Sequence, residues 1–336
     1  MSRMAGKMML FFFVLFALGC AGEGDETGEG AQAMSDETLS EILATNAFYY
    51  YADLEGAWDF YTRTLGFETV ADYGFAKILQ VAPTSFLTLV DETRGMHSSE
   101  EPKSVTLAVV SEEVEGWWEY LNAEGVQMRA GLGEVEEGKP HDGFVAIDPE
   151  GYLLEFERFN PHPENTDLMP VLDGVEALYP NPDQETAPGV VTTRPGNLGV
   201  QATVLWLYYR DLQRVEAFYE DVFHRGIIVD QGWAKVFPIS TTGFLGFVDG
   251  ERGLHSATEE KAVTVSFFTE GVEGWFEAVK SLPDFPLRTT EMSGEGDFVT
   301  TFVGYDPEGY FLEWDTFLDV PVNAELLERM GLGGSR

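Results

Sequence analysis

The sequence predicts an α+β protein with two tandem domains, each built from two βαβββ modules. Three observations predict this fold: an internal repeat, a strand–turn–strand motif that closes each copy, and helical and strand patterns that alternate in a fixed order. The 336 residues are enough for two domains with sizeable cores.

The repeat appears when the chain is shifted by 158 residues against itself. The overlay runs without a gap from Asp53 to Phe159. Within it, Arg94-Gly-Met-His-Ser98 matches Arg252-Gly-Leu-His-Ser256. Agreement at one fixed register over this length indicates a duplicated domain.

A closing motif, Phe144–Phe156, contains Asp-Pro-Glu-Gly and returns as Phe302–Trp314. Proline presets φ and glycine accepts the positive φ of a tight reversal, so each copy predicts strand, turn and strand. Side chains alternate along a strand, which places Glu155 opposite the apolar face of its strand. Glu313 has the same position in the second copy.

The remaining elements of the first copy follow from periodicity and capping signals. Asp53 is a candidate N-cap for a helix over Glu55–Leu65, which Gly66 ends. The predicted strands before the midpoint of the copy are Ala47–Ala52, Glu68–Tyr73, Phe75–Val81 and Ser85–Val90. The cycle then restarts with strand Ser104–Val110, helix Glu113–Glu124 and strands near Gln127, Phe144 and Tyr152.

The N-terminus has the pattern of a targeting segment. Basic residues precede a short apolar run, Met8–Leu18, which ends at Gly19-Cys20. Small residues before a cysteine resemble the lipobox of bacterial lipoproteins, and an ordinary signal peptide is the alternative. We therefore predict a lipoprotein signal peptide at 1–20, lipid attachment at Cys20, and a lipid anchor in a bacterial cell envelope. Residues 21–43 are predicted to form an acidic, Gly-rich tether.

Composition shifts mark the other boundaries. The first domain is predicted at 44–160, the second at 201–320, and a C-terminal tail at 321–336. A Pro-rich linker at 161–200 joins the domains, because proline cannot donate to a helix or a sheet ladder. Leu168 and Leu172 suggest that part of this linker packs on a domain.

The charge is strongly acidic, with 58 acidic against 20 basic residues and a formal net charge of −38. This balance argues against nucleic acid and against an anionic membrane surface as partners, so we expect membrane contact only through the lipid anchor. It permits a cationic ligand. A solvated surface that keeps the protein soluble is the simpler interpretation.

Several of these motifs together resemble the vicinal oxygen chelate superfamily, which includes glyoxalase I, extradiol dioxygenases and bleomycin-binding proteins. In the first copy the resemblance rests on Asp53-Leu54, Phe60-Tyr61, Leu65-Gly66-Phe67 and Asp148–Glu155. The second copy has Phe223-His224-Arg225 in place of Leu-Gly-Phe. The resemblance implies that paired modules curve into a half-open, barrel-like sheet around a cleft.

Metal-dependent members of that family hold their ion at four positions in the cleft. Motif alignment places these positions near Asn46, Thr88, Thr106 and Glu155 in the first copy and near Val204, Gly246, Thr264 and Glu313 in the second. A transition metal needs several nitrogen, oxygen or sulfur ligands at one point. One glutamate per copy does not supply them, so we expect no family-type metal cofactor, with a divalent metal as the alternative.

Aromatic and histidine residues are the other candidates for the site. The resemblance would turn Phe48, Tyr50, Trp206 and Tyr208 inward, either to line a cleft or to fill the barrel. His97 and His255 recur within Arg-Gly-x-His-Ser. They are candidates for acid–base or ligand contacts, with a structural role in the loop as the alternative.

Three functions remain open on this basis. The first is a module that binds a small, mostly apolar or aromatic molecule. In this interpretation Glu155 and Glu313 each bond a neighbouring hydroxyl, such as Thr106 or Thr264, or contact an amine of the ligand. The second is a metal-dependent lyase or dioxygenase, so the sequence leaves open whether the protein is an enzyme. The third is an interaction protein, and a homo-oligomer is compatible with each.

Overall fold

Each module of the protein starts with a long strand, continues through a helix and ends with three more strands. Module 1 comprises β1 (Ile42–Tyr51), α1 (Leu54–Asp59), β2 (Glu68–Asp72), β3 (Ala76–Ala82) and β4 (Ser85–Asp91). Module 2 comprises β5 (Val105–Val110), α2 (Val114–Ala123), β6 (Met128–Ala130), β7 (His141–Ile147) and β8 (Leu153–Phe159). The predicted order of elements is confirmed in the first copy.

The second copy repeats this order after a connecting segment. That segment holds α3 (Met169–Asp173) and a hairpin of β9 (Glu185–Ala187) and β10 (Val190–Val191). Module 3 comprises β11 (Ala202–Tyr209), α4 (Leu212–Phe223), β12 (Val229–Asp230), β13 (Ala234–Pro238) and β14 (Gly243–Asp249). Module 4 comprises β15 (Val263–Thr269), α5 (Val272–Ser281), β16 (Ser293–Glu295), β17 (Val299–Tyr305) and β18 (Phe311–Phe317), and α6 (Ala324–Arg329) follows it.

These elements come from a computed structural model that describes residues 39–133, 138–178, 184–283, 285–295 and 297–333. The predicted signal peptide, Cys20 and the tether up to residue 38 lie outside the described residues. Strand β1 starts at Ile42, slightly before the predicted domain boundary. Within the described ranges, no helix has the length and apolar character needed to cross a bilayer.

The local signals read from the sequence form as expected. Asp53 caps α1 by accepting a hydrogen bond from the backbone N–H of Gly56 at 3.0 Å. A π-helical turn at Phe60–Thr64 extends this helix, and Gly66 ends the segment at φ +72°. The Asp-Pro-Glu-Gly turns place Gly151 and Gly309 at φ +95° and +91°, where glycine is favoured.

The strands form two curled sheets of eight strands and a separate two-stranded hairpin. We call the two sheets outer and inner after the order of their modules along the chain. The outer sheet joins module 1 to module 4 in the order β16-β17-β18-β15-β1-β4-β3-β2. The inner sheet joins module 2 to module 3 in the order β12-β13-β14-β11-β5-β8-β7-β6. Two modules in each barrel-like sheet are confirmed, but the expectation that consecutive modules share a sheet is wrong. Residues 44–160 and 201–320 are sequence copies, each of which contributes one module to each sheet.

The near-equivalence of the copies explains why the sequence did not reveal this pairing. Modules 1 and 3 match each other, as do modules 2 and 4, so module 2 can pair its first strand with either β1 or β11. The structure uses the antiparallel pairs β1·β15 and β5·β11. The loops 92–104 and 250–262, which follow β4 and β14, therefore cross between the sheets. They contact each other through a 3.0 Å bond from Ala262 N–H to the Pro102 carbonyl.

Helices α1, α2, α4 and α5 pack on one face of the sheets, and we call the opposite face of each sheet its cleft face. Val105, Leu107 and Val109, which alternate with Thr106 and Ala108 along β5, lie in the helix-side core. Each cleft face carries one short helix. Leu168 and Leu172, in or next to α3, pack on the inner sheet, and Leu326 of α6 packs on the outer sheet. Part of the predicted linker and part of the predicted tail are thus folded and buried.

Candidate functional site

The cleft face of the inner sheet contains a cavity of about 220 Å³. Its wall comes from strands of two modules and from the crossing loop 250–262. Its lining includes Glu155, Glu157, Trp206, Tyr208, Trp233, Val248 and Leu254. The cavity therefore combines aromatic and aliphatic walls with two carboxylates from β8, a composition typical of small-molecule sites.

Differences in side-chain bulk between the two clefts open this space. In the outer cleft, Tyr73 stacks on Phe298 with ring centroids 4.9 Å apart and donates a 2.6 Å hydrogen bond to Asn323. The matching positions in the inner cleft hold Gln231 and Pro140, which are smaller. The two clefts thus have the same order of strands but differ in the volume that their side chains leave empty.

Glu155 and Glu157 are two residues apart on β8, so both point to the cleft face. Glu157 is 2% exposed, whereas Glu155 is half-buried. Burial raises the pKa of both carboxyl groups, and the charge of Glu155 raises that of Glu157 further. Gly143 faces Glu157 across the strand pair, and a Cβ on it would lie 2.8 Å from the Phe156 carbonyl oxygen.

Two polar atoms in this wall are buried without a hydrogen-bond partner among the described residues. They are Oε1 of Glu157 and Nε1 of Trp206. Trp206 lies close enough to favour the charged form of Glu157, yet the two atoms do not reach hydrogen-bonding geometry. A donor or acceptor that entered the cavity would satisfy groups that the protein leaves unpaired.

The aromatic wall is held in place by neighbours on the same face. The Trp206 indole covers Gly246, because a Cβ on that glycine would lie 1.9 Å from the ring. The Tyr208 hydroxyl hydrogen-bonds Thr106 Oγ1 at 2.8 Å. Arg252 stacks its guanidinium 5.0 Å from the Trp233 ring at the rim.

Histidines lie beside the cavity in neutral form. His255 contacts Tyr208 edge to face at 5.1 Å, and burial, with Arg129 nearby, lowers its pKa to about 4. Burial also lowers the pKa of His141, which lines the cavity, against the opposing charge of Asp142. Neither ring therefore adds a positive charge near neutral pH.

His97 has the corresponding place in the outer cleft. Its ring lies 5.1 Å from Tyr50 and 4.3 Å from Phe311, and its Nδ1 bonds Glu101 at 2.7 Å. Burial lowers its pKa against the opposing effect of Glu101, and the cations that contribute are Arg288 and Lys261 rather than the sequence neighbour Arg94. Both loop histidines thus lie where the crossing loops close the clefts.

The sequence-predicted residues separate into two groups in the structure. Glu155, Trp206, Tyr208 and Thr106 meet in the inner cleft, as their hydrogen bonds and shared cavity lining show. The outer cleft holds the remaining candidates: Asn46, Phe48, Tyr50, Thr88, Thr264 and Glu313. Grouping Asn46 and Thr88 with Glu155 is therefore wrong, because those strands belong to different sheets.

The two threonine hydroxyls that were expected to bond the glutamates bond tyrosines in the structure. The hydroxyl of Thr106 bonds Tyr208, and that of Thr264 bonds Tyr50 at 2.8 Å. Sequence reasoning missed Glu157, Trp233 and His141 as site residues. The position of Glu157, two residues after Glu155, was a usable signal, whereas the places of Trp233 and His141 depend on which modules pair.

The residues at the family's metal positions do not fit a transition-metal ion. In the inner cleft they are Thr106, Glu155, Val204 and Gly246, and the Trp206 ring covers the last of these. In the outer cleft the side chain of Thr88 donates to Asn46 Oδ1 at 2.9 Å and Thr264 bonds Tyr50. Among the described residues, no three His, Cys, Asp or Glu side chains group closely enough to hold a metal. A site of three or four strong ligands is therefore not formed at either place.

Comparison with known proteins agrees with this fold. Residues 44–156 match the family model of the Glyoxalase/Bleomycin resistance protein/Dioxygenase superfamily. No curated protein matches the chain.

Two solved structures extend the similarity to most of the chain. Glyoxalase I from Zea mays is 16% identical with a TM-score of 0.56, over 89% of this chain and 98% of that one. A putative dioxygenase from Bacillus subtilis subsp. subtilis str. 168 is 11% identical with a TM-score of 0.57, over 82% and 85%. At these identities the structures show a shared fold.

Residues 44–156 therefore match the model of the glyoxalase/bleomycin resistance protein/dioxygenase superfamily, and the chain has a tandem glyoxalase-like fold.

Proposed function

We propose that the inner cleft binds a small, mostly aromatic molecule that carries a cationic or hydrogen-bond-donating group, without a family-type metal. The observation that carries this proposal is the pair of unpartnered buried atoms, Glu157 Oε1 and Trp206 Nε1, in the wall of a cavity. Buried polar groups in proteins are normally paired, so these two atoms mark where a ligand is recognised.

The cavity sets the size and shape of the ligand. Its volume of about 220 Å³ is below the roughly 300–1,000 Å³ of drug-sized pockets, so the ligand is comparable to one ring with a short side chain. Trp206, Tyr208 and Trp233 supply faces on which an aromatic ring can stack. A donor on that ligand would then reach Glu157.

The charge of the protein favours a cation over an anion. Glu155 and Glu157 face the same space, and the whole chain carries a formal charge of −38. Such a field attracts cations and repels anions before contact. Arg252, an exposed residue that also lines the cavity, stacks its guanidinium on Trp233.

A binding series of benzylamine, benzyl alcohol and benzoate tests this proposal by calorimetry or tryptophan fluorescence. We expect the amine to bind most tightly and the carboxylate least, because an ammonium group favours the ionised forms of Glu155 and Glu157, which burial opposes, whereas a further carboxylate disfavours them. Trp206→Ala should weaken amine binding about tenfold or more, since it removes the main stacking surface. Phe48→Ala, the matching position in the outer cleft, serves as the control and should leave the affinity unchanged. Equal binding of amine and carboxylate, or full affinity in Trp206→Ala, would contradict the proposal.

A metal-dependent lyase or dioxygenase is the second candidate. The fold likeness to glyoxalase I and to the putative dioxygenase favours it, since those names describe enzymes. The donor atoms at the family positions oppose it, because Val204 and Gly246 offer no ligand. We therefore place it second to simple binding.

We also propose that the protein acts while anchored to the cell envelope through Cys20. When the chain is expressed in a bacterium, most of it should pellet with membranes, and Cys20→Ala should move it to the soluble fraction or block its processing. A diacylated cysteine is a stable anchor, whereas one acyl chain binds membranes weakly. Recovery of the unaltered protein in the soluble fraction would refute the anchor and leave the cleft proposal intact.

A further inference from the structure

A second cavity lies on the outer sheet, beneath the segment 184–200 that connects the two copies. We call this segment the strap. It is tied to the end of the first helix: Thr186 Oγ1 donates to the Thr62 carbonyl at 3.0 Å, and Thr192 Oγ1 donates to the Arg63 carbonyl at 2.9 Å. These bonds hold the strap against the start of β2.

The strap buries Arg194 and leaves one of its donors unpaired. The residue is 2% exposed, and its Nε is buried without a hydrogen-bond partner among the described residues. The guanidinium carbon of Arg194 lies 5.3 Å from the centroid of the Trp117 ring. Burial lowers the pKa of Arg194 to about 10. A buried N–H without an acceptor is unfavourable, because it has lost its hydrogen bond to water and gained none from the protein.

The backbone keeps space open beside this guanidinium. Gly66 has φ +72°, and a Cβ there would lie 2.9 Å from Arg194 Nε and 2.7 Å from Thr192 Oγ1. Any larger residue would therefore occupy the side from which an acceptor can approach. The matching position in the second copy holds His224, which is exposed.

The adjoining cavity has a volume of about 220 Å³ and a mainly polar wall. Besides Arg194 and Gly66 it is lined by Gln80, Gln184, Glu68 and Arg329. Arg329 pairs with Glu68 at 2.6 Å, so these two charges offset each other. A second carboxylate, the exposed Glu325, also contacts Arg329 at 2.9 Å. Glu68 also favours the charged form of Arg194, but the buried Nε of Arg194 has no acceptor among the described residues.

We propose that this cavity is a binding site for a small oxyanion, a carboxylate or a phosphate, whose oxygens accept hydrogen bonds from Arg194. The planar fork of a guanidinium matches two oxygens of such a group. The amide groups of Gln80 and Gln184 can complete the contacts around it. The site is separate from the inner cleft, since the two cavities share no lining residue.

Thermal unfolding of the full chain with added malonate or phosphate tests the site, with sodium chloride of equal ionic strength as the reference. We expect at least one of the two anions to raise Tm by several degrees at millimolar concentration, because only binding to the folded state stabilises it in this way. A response to malonate alone identifies a carboxylate site, and one to phosphate alone a phosphate site. If neither anion raises Tm more than sodium chloride does, the proposal is wrong.

Variants separate this site from general salt effects. Arg194→Met should abolish the anion-specific rise, and Gly66→Ser, which fills the approach, should reduce it. Arg63→Gln is the matched control, because Arg63 is an exposed arginine nearby that pairs only with Asp59 among the described residues. It should retain the full rise. If Arg194→Met folds and responds like the unaltered protein, or if Arg63→Gln also loses the response, the assignment to Arg194 is wrong.

Discussion

Tyr152→Phe and Tyr310→Phe are each expected to lower the free energy of unfolding by about 2–4 kcal/mol, because each removes two buried hydrogen bonds between the sheets. The Tyr152 hydroxyl accepts from the Tyr50 backbone N–H at 2.9 Å and donates to the Ala262 carbonyl at 2.7 Å. Phenylalanine would leave that N–H and that carbonyl buried and unpaired.

Tyr310 makes the equivalent connection from the outer sheet. Its hydroxyl accepts from the Tyr208 N–H at 2.8 Å and donates to the Ser104 carbonyl at 2.6 Å. The two tyrosines thus bond the first strand of one sheet to the closing turn of the other, in both directions. Because the two sets of partners are distinct, the losses should add in the double variant to within about 0.5 kcal/mol.

Urea unfolding followed by circular dichroism measures these losses. Tyr49→Phe is the matched control, since the Tyr49 hydroxyl is buried and has no partner among the described residues. Its removal should be neutral or slightly stabilising, because no hydrogen bond is lost. If Tyr152→Phe changes stability no more than Tyr49→Phe does, the two bonds do not hold the sheets together.

Local chemistry made most of the secondary structure predictable from the sequence. The Asp-Pro-Glu-Gly turn is an example, because everything that shapes it lies within a few residues. Asp148 Oδ1 accepts from the backbone N–H groups of Glu150 and Tyr152 at 3.0 and 2.8 Å, and Gly151 supplies the positive φ. Such contacts do not depend on how the modules pair, so sequence reasoning found them in both copies.

The pairing of modules was not predictable for the same reason that the repeat was easy to see. Near-identical edges make β1·β15 and a hypothetical β1·β5 pair chemically alike, and the choice depends on the path of the crossing loops. This choice decides which residues share a cleft. In the structure β5 lies between β11 and β8, so Trp206 and Tyr208 of the second copy share a cleft with Glu155 and Glu157 of the first. Aligning the two copies shows which residues correspond and does not show which strands are neighbours.

The strap escaped prediction for a different reason. Its prolines indicated an extended linker, which is correct for part of it, but an extended segment can still bury a charge. Arg194 lies over the Trp117 ring, and its backbone N–H bonds Thr192, whose hydroxyl in turn donates to the distant Arg63 carbonyl. Long-range contacts of this kind leave no periodic pattern in the sequence.

Glu157→Gln is expected to raise the free energy of unfolding at pH 7–8 by about 1–3 kcal/mol, the usual cost of a buried polar group that is left without its partner. Glu157 is 2% exposed, and both burial and the charge of Glu155 raise its pKa in the folded protein. In the unfolded chain a glutamate ionises near pH 4.3. Between that value and the raised folded pKa, the folded state holds the extra proton, so stability falls as the pH rises. Glutamine has no such proton, and the advantage of the variant should grow over the same interval.

The decisive measurement is the difference in unfolding free energy between Glu157→Gln and the unaltered protein from pH 4 to pH 8. Burial also raises the pKa of Asp148, and that of Asp306 to about 6, so the stability of the protein itself changes with pH for other reasons. Those contributions cancel in the difference, because both proteins contain them. Glu119→Gln, which removes an exposed carboxylate, should give a difference that stays nearly constant with pH. A constant difference for Glu157→Gln as well would mean that Glu157 is ionised in the folded state at little cost, and that the inner cleft already stabilises its charge without a ligand.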